Sequence, residues 1–165
     1  VAKPLVPVVA AVAAVAALDW AYAGVVRWTL RRNLARLHAG DPEPLLAGYA
    51  DDVRFVFPGD SSWSADVRGK AAVRAWLERF VTVGLRFEVG DILVSGPPWA
   101  TTVCILFTDH LNVGNGPPVY ENRGAIVASI TWGKVTAYEV HEDTQKVAAF
   151  DEYLETHGLG AGAGA

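Results

Sequence analysis

Cysteine is all but missing. Cys104 is the single one among 165 residues, so an intramolecular disulfide is impossible and a metal site built on several thiolates is excluded. It lies in the apolar run Val103-Cys104-Ile105-Leu106-Phe107, where it reads as a small buried hydrophobe. Basic charge is scarce as well. Fourteen Lys and Arg against 18 Asp and Glu give a formal charge of −4, and a pI near 5.5 offers phosphate backbones no general attraction. Nucleic acid is therefore not an expected partner. Histidine is limited to four residues, with no two-His helical spacing and no compact His/Asp/Glu cluster, so neither a metal nor a cofactor is expected. No internal repeat is present. The length is that of one domain, and 52% hydrophobic residues are ample for its core.

Charge is also nearly absent from a long N-terminal stretch. Residues 4–26 are apolar except for Asp19 and match the length of a bilayer-crossing helix. Arg27, Arg31, Arg32 and Arg36 follow, and an excess of Lys and Arg marks the cytoplasmic flank of a span. Trp20, Tyr22 and Trp28 are of the kind that gathers at membrane interfaces, while Asp19 beside them shortens the uninterrupted apolar run. This reading gives a membrane anchor over residues 4–26, with the folded domain in the cytoplasm. Two others stand beside it. A signal-peptide core has only Lys3 as its n-region charge. An ordinary helix could instead fold back on a soluble cytoplasmic domain or dock on a second protein, and Ala10/Ala14 and Ala13/Ala17 permit close helix approach. The organisation is then an apolar anchoring or docking helix over 1–26, a folded domain over 27–157, and a Gly/Ala tail over 158–165 expected to be disordered.

Within the domain, Trp28, Leu30, Leu34 and Leu37 recur at helical spacing up to Gly40. Asp41 as N-cap and Pro42 at the first helical position predict a short helix through Leu45, Leu46 and Tyr49. Val53, Phe55 and Phe57 alternate as a strand until Pro58-Gly59, and residues 60–68 read as a loop carrying Trp63. Val73, Trp76, Leu77 and Phe80 form the buried stripe of a third helix. Segments near 85–95, 99–112, 119–132 and 134–143 are strands, separated by turns at 96–98, 114–118 and 132–134. A last helix is expected over 143–157 with Asp143 as its N-cap. Helices first and a long antiparallel meander afterwards predict an α+β fold, with helices covering one face of a strongly bent sheet.

The stretch Ala39-Gly40-Asp41-Pro42-Glu43-Pro44-Leu45-Leu46, followed by Tyr49-Ala50-Asp51-Asp52-Val53-Arg54-Phe55, resembles the opening of SnoaL-like domains of the nuclear transport factor 2-like superfamily. Gly69-Lys70-Ala71-Ala72-Val73, Trp132-Gly133-Lys134-Val135 and Glu139-Val140-His141-Glu142-Asp143-Thr144 resemble later elements in the same order. The resemblance covers residues 27–154 and implies a cone-shaped, mostly antiparallel curved sheet around three helices, with a conical pocket for a small apolar ligand. A homodimer through the open sheet face is also implied. One activity is not, because the superfamily holds ketosteroid isomerases, polyketide cyclases, epoxide hydrolases, transport factors and purely structural members. Aligned on Gly40-Asp41, the oxyanion-hole tyrosine of a ketosteroid isomerase falls near Asn33, its base near Phe57 and its second acid near Val127, so that catalytic set is not kept. The Asp-Arg-Asp set of an epoxide hydrolase has no clear place either.

Candidate site residues come from strand alternation. Thr108-Asp109-His110 and Tyr120-Glu121-Asn122-Arg123 face each other across the hairpin closed at 114–118. Alternation groups Cys104, Leu106, Thr108 and His110 on one face, and Glu121, Arg123, Ala125 and Val127 on one face of the partner strand. If those faces coincide, His110, Glu121 and Arg123 converge. With Asp109 they are the candidate catalytic groups, a neutral His beside a carboxylate serving as base and an Arg holding an oxyanion or a carboxylate. The competing reading is a set of solvated cross-strand pairs worth at most about 1 kcal/mol each. Trp63, Phe57, Asn33, Asn122, Tyr138 and His141 are expected ligand contacts, and Trp76 and Trp99 are expected in the core. Two functions remain open. One is a membrane-tethered domain that binds a small apolar molecule or lipid, or serves as accessory subunit of a membrane complex. The other is a small-molecule enzyme, a cyclase, isomerase or epoxide-hydrolase-like protein, with His/Asp/Glu acid–base chemistry in the cone.

Overall fold

The computed structural model describes residues 6–159, of which residues 6–15 are described by backbone alone. Helix α1 (Val6–His38) and helix α2 (Glu43–Ala47) lead into strands β1 (Tyr49–Phe57) and β2 (Ala65–Arg68). Helix α3 (Lys70–Val83) follows, then β3 (Arg86–Ser95), β4 (Thr101–Leu111), β5 (Tyr120–Thr131), β6 (Lys134–Glu142) and helix α4 (Thr144–Thr156). The six strands form one sheet in the order β2-β1-β6-β5-β4-β3. The fold is α+β, as the pattern of elements predicts, but the sheet is mixed. β1 lies parallel to β6, and every other pair is antiparallel.

Each helix presents one apolar stripe to the inner face of the sheet. Leu34 and Leu37 of α1, Val73, Leu77 and Phe80 of α3, and Val147, Phe150 and Leu154 of α4 are buried there. Along β4 the facing residues are Val103, Ile105, Phe107, Asp109 and Leu111, all buried, while the residues between them face outward. Helix α4 starts where expected, because the Asp143 carboxylate accepts from the backbone N–H groups of Gln145 and Lys146. Gly124 on β5 is needed for close approach. A Cβ added there would sit 2.4 Å from the His141 carbonyl oxygen and 2.8 Å from the Phe107 ring.

Four sequence expectations need correction. Residues 65–68 are not loop but the edge strand β2, whose Asp66 pairs with Arg54 of β1 at 2.7 Å; four residues are too few for alternation to show. Trp99 is not core. It is 56% exposed and packs on Trp132, both rings lying on turns at one end of the sheet. Cys104 is only half-buried, since it lies on the outer face.

The fourth correction concerns the N-terminal segment. α1 runs unbroken through the expected boundary at residues 26–27. Arg27 donates through Nε to the Ile92 carbonyl (2.9 Å), and Arg31 donates to those of Val89 (3.3 Å) and Gly90 (2.7 Å). These carbonyls lie on the free edge of β3 where its pairing with β4 slips, so the arginines cover an otherwise unpaired edge. Tyr22 adds a hydroxyl contact to Thr101 at 2.7 Å. With Arg36 paired to Asp41 at 2.6 Å, three of the four arginines read as a cytoplasmic flank make polar contacts within the domain. Among the described residues no helix is long and apolar enough to cross a membrane. Residues 4–5, the side chains of residues 6–15 and tail residues 160–165, on which the anchor and tail expectations fall, lie outside that description.

Candidate functional site

Between the helices and the inner face of the sheet lies a cavity of ≈ 100 Å³. Its wall is aliphatic and aromatic, with Trp63, Trp76, Phe80, Phe87, Phe107 and Phe150 among the lining residues. The lining residues with ionisable side chains are two acids, Asp109 and Glu142, and three phenols, Tyr49, Tyr120 and Tyr138. No arginine, lysine or histidine reaches it among the described residues, so the cavity has no Asp-Arg-Asp set for opening an epoxide.

The two acids come from strands on either side of β5. Asp109 of β4 is in register with Asn122, and Glu142 of β6 is in register with Gly124. The missing side chain at Gly124 leaves room for Phe107 and Glu142, which crowd that position from both sides. Tyr120 donates its hydroxyl hydrogen to Glu142 Oε2 at 3.3 Å. Asn122, 2% exposed, donates through Nδ2 to the Tyr120 hydroxyl (3.2 Å) and to the Asp143 carbonyl (3.0 Å), and its Oδ1 accepts from the Arg123 N–H (2.9 Å). The Tyr120 ring is held from the other side by stacking on Phe150, with centroids 4.3 Å apart.

Burial governs the electrostatics. It pushes Glu142 up to about 8, and the neighbouring Asp109 charge pushes the same way. Asp109 is also raised by burial, with hydrogen bonding to Tyr120 and Glu142 opposing the rise. Two buried carboxyls this close do not both ionise at neutral pH, so the pair keeps a proton, held on Glu142 by its raised affinity. Asp109 Oδ1 is buried without a hydrogen-bond partner.

A second polar spot lies on the same face of β6, four residues before Glu142. Tyr138 stacks on Phe55 (4.6 Å) and lies against Tyr49 (5.3 Å between centroids). Its buried hydroxyl makes no hydrogen bond of normal geometry. Burial, and then the Tyr49 phenol, hold its pKa well above the ordinary value, so it stays protonated. The loop wall is fixed. The Arg79 guanidinium lies 3.9 Å from the Trp63 ring centroid, Trp76 Nε1 donates to the Trp63 carbonyl (3.0 Å), and Asp151 accepts from the Ser62 N–H (2.5 Å) and hydroxyl (2.6 Å).

Of the sequence candidates, Asp109, Phe57, Trp63 and Tyr138 line the cavity. Asn122 stands behind it as the residue that holds Tyr120. His110, Glu121 and Arg123 do share a face, with His110 opposite Glu121 and Thr108 opposite Arg123, but it is the outer face of the sheet. His141 is exposed on that same side, 3.5 Å from Glu139. Asn33 is buried away from the cavity and donates to the Pro44 carbonyl at 3.0 Å. Glu142, Tyr120 and Tyr49 were not among the candidates. The alternation that groups Glu142 with Tyr138 and Val140 was the available signal for the first of them.

A family model described as a SnoaL-like domain matches residues 30–138. Several solved structures share the fold. Bal32a, from a soil-derived mobile gene cassette, is 20% identical, with 75% of this chain and 94% of that one covered and a TM-score of 0.64. TerC, co-crystallised with polyporic acid, is 23% identical over 77% of this chain and 95% of that one, with a TM-score of 0.61. An NTF2-like protein of Burkholderia pseudomallei K96243 is 22% identical over 78% and 94%, also with a TM-score of 0.61. No curated protein matches the chain.

Proposed function

The chain belongs to the SnoaL-like domain family, and on that premise we propose that its cavity is an active site in which Asp109 and Glu142 relocate a proton on a small, largely apolar substrate. The observation that carries this reading is the buried carboxyl pair, both members raised by burial, facing an apolar cavity with one Asp109 oxygen unengaged. Asp109 takes a proton from a C–H or O–H of the substrate, Glu142 delivers its proton to an oxygen or to the carbon that closes the change, and the proton on Asp109 then passes back to Glu142 to restore the pair. The net reaction is an isomerisation or a ring closure, with no co-reactant consumed. Tyr120 and Asn122 position Glu142. That TerC was co-crystallised with polyporic acid accords with a small-molecule cavity in this fold.

The test uses cyclopentanone, a small enolisable ketone, in deuterium oxide. The wild type is expected to speed incorporation of deuterium next to the carbonyl, and Asp109→Asn to abolish the effect. Binding of the ketone without any catalysed exchange would leave a ligand-binding domain instead.

A second reading concerns surfaces. Leu18, Val25, Trp28 and Trp20, the last 79% exposed, stand out along α1 and favour a lipid surface as its further partner. Flotation of the full chain with phosphatidylcholine/phosphatidylglycerol vesicles tests this, and protein left unbound ends it. Leu93, Leu106 and Val127 on the outer sheet face favour a second copy of the chain there, which sedimentation equilibrium checks.

A further inference from the structure

Buried side-chain polar atoms nearly always have partners. Among the described residues four do not: Asn33 Oδ1, Trp63 Nε1, Asp109 Oδ1 and the Tyr138 hydroxyl. Three of these belong to residues that line the cavity, and only Asn33 lies off it. Orphans gathered around one cavity describe, by complement, what the cavity is built to hold. Asp109 Oδ1 can only accept when ionised, so it calls for a donor. The Tyr138 hydroxyl has a hydrogen to give, so it calls for an acceptor.

We infer that the molecule taken by this cavity is a hydroxy-carbonyl compound with an apolar body, its hydroxyl donating to Asp109 Oδ1 and its carbonyl oxygen accepting from the Tyr138 hydroxyl. The inference rests on the reading of the cavity as a small-molecule site. Position favours Tyr138 as the carbonyl holder. It shares a face of β6 with Glu142, four residues on, so an oxygen held by Tyr138 directs the rest of the molecule along the strand toward the carboxyl pair. The Trp63 indole N–H is a competing donor, but its ring is on the 58–64 loop, covered by Arg79 and stacked toward Phe150 of α4. The walls between these groups are aromatic and aliphatic, so a fully hydrated polar ligand would lose its water without replacement.

Three isosteric probes separate the two contacts: cyclopentanone, cyclopentanol and methylcyclopentane, titrated into the full chain by NMR. The wild type is expected to bind the ketone and the alcohol each about three- to tenfold more tightly than the hydrocarbon. Tyr138→Phe removes the ketone advantage alone and abolishes the low-frequency shift of the bound carbonyl stretch. Asp109→Asn weakens the alcohol advantage alone. A ketone preference that survives Tyr138→Phe and disappears in Trp63→Phe overturns the assignment, as does a hydrocarbon bound as tightly as the ketone. Tyr138→Phe keeps the ring and removes no hydrogen bond of normal geometry, so loss of folding is not the expected route to its lost binding, and the NMR spectrum of each variant checks that its fold is kept. The two proposals fail separately. Probe ranking without catalysed deuterium exchange sinks the catalytic reading and keeps the ligand inference, whereas exchange with a ranking indifferent to Tyr138→Phe does the reverse.

Discussion

Replacing Glu142 by Gln changes how stability depends on pH, and the sign follows from the buried carboxyl pair. Burial and the Asp109 charge raise Glu142 from 4.5 to about 8 in the folded protein. The folded state therefore holds a proton that the unfolded state has already released across that interval. The stability this contributes is complete below pH 4.5 and is lost as pH rises through about 8. Its ceiling is about 5 kcal/mol, lowered by whatever solvent still screens the carboxyl. Between pH 6 and pH 8 the loss runs at up to about 1.4 kcal/mol per pH unit and totals about 2 kcal/mol. Asp109, also raised by burial, acts with the same sign. Glutamine keeps the shape and the hydrogen-bond acceptor for Tyr120 but cannot titrate. Urea unfolding of the wild type and Glu142→Gln, at fixed ionic strength across that range, gives a difference curve in which the histidines and surface acids cancel. The variant is expected to gain about 2 kcal/mol on the wild type from pH 6 to pH 8. A flat difference curve, or one of opposite slope, refutes the claim that Glu142 keeps its proton in the cavity.

Further outcomes follow from neighbouring groups. Asp109→Asn is expected to lower catalysed deuterium exchange by about 100-fold or more while leaving the fold intact, as judged by the NMR spectrum. Asn122→Ala strips the support of Tyr120 and the Asp143 carbonyl in a site closed to water, so the urea midpoint should report a loss of about 2–4 kcal/mol; a loss below about 1 kcal/mol contradicts the network. Gly124→Ala drives a methyl group into the His141 carbonyl and the Phe107 ring, with an expected cost of about 2 kcal/mol or more by the same measurement. Tyr138→Phe is expected to leave stability within about 0.5 kcal/mol, because its hydroxyl makes no hydrogen bond of normal geometry in the free protein.

Much of the architecture is legible in the chain because local chemistry and global fold agree there. Asp143 before an apolar-periodic run marks the start of α4, and β-branched and aromatic stretches between glycine- and proline-rich turns mark β3 to β6. What stayed hidden depends on contacts between distant parts. β2 has four residues and is a strand only because β1 is beside it. The parallel join of β1 to β6 brings residues 49–57 against residues 134–142, which no local signal announces. Arg27 and Arg31 look like the flank of a membrane span until the bulged edge of β3 supplies carbonyls for them.

The site turned on parity rather than on motif. Strand side chains alternate, so shifting the choice of inner face by one residue exchanges the whole content of the cavity wall. Choosing the more polar set, with Thr108 and His110, directs attention outward to Glu121 and Arg123. The opposite set, Val103, Ile105, Phe107, Asp109 and Leu111, is almost wholly apolar and therefore faces the helices. Its one charged member is the informative residue, since a carboxyl carried on the most hydrophobic face of a strand must be desolvated when that face is covered. The same rule applied to β6 selects Glu142 beside Tyr138 and Val140, and applied to β5 selects Tyr120 and Asn122 in line with Ala128 and Ile130. Charge clustered in sequence marks where water is welcome, whereas charge isolated within an apolar period marks where the fold has excluded it, and acid–base chemistry with raised carboxyl pKa values belongs to the second kind of place.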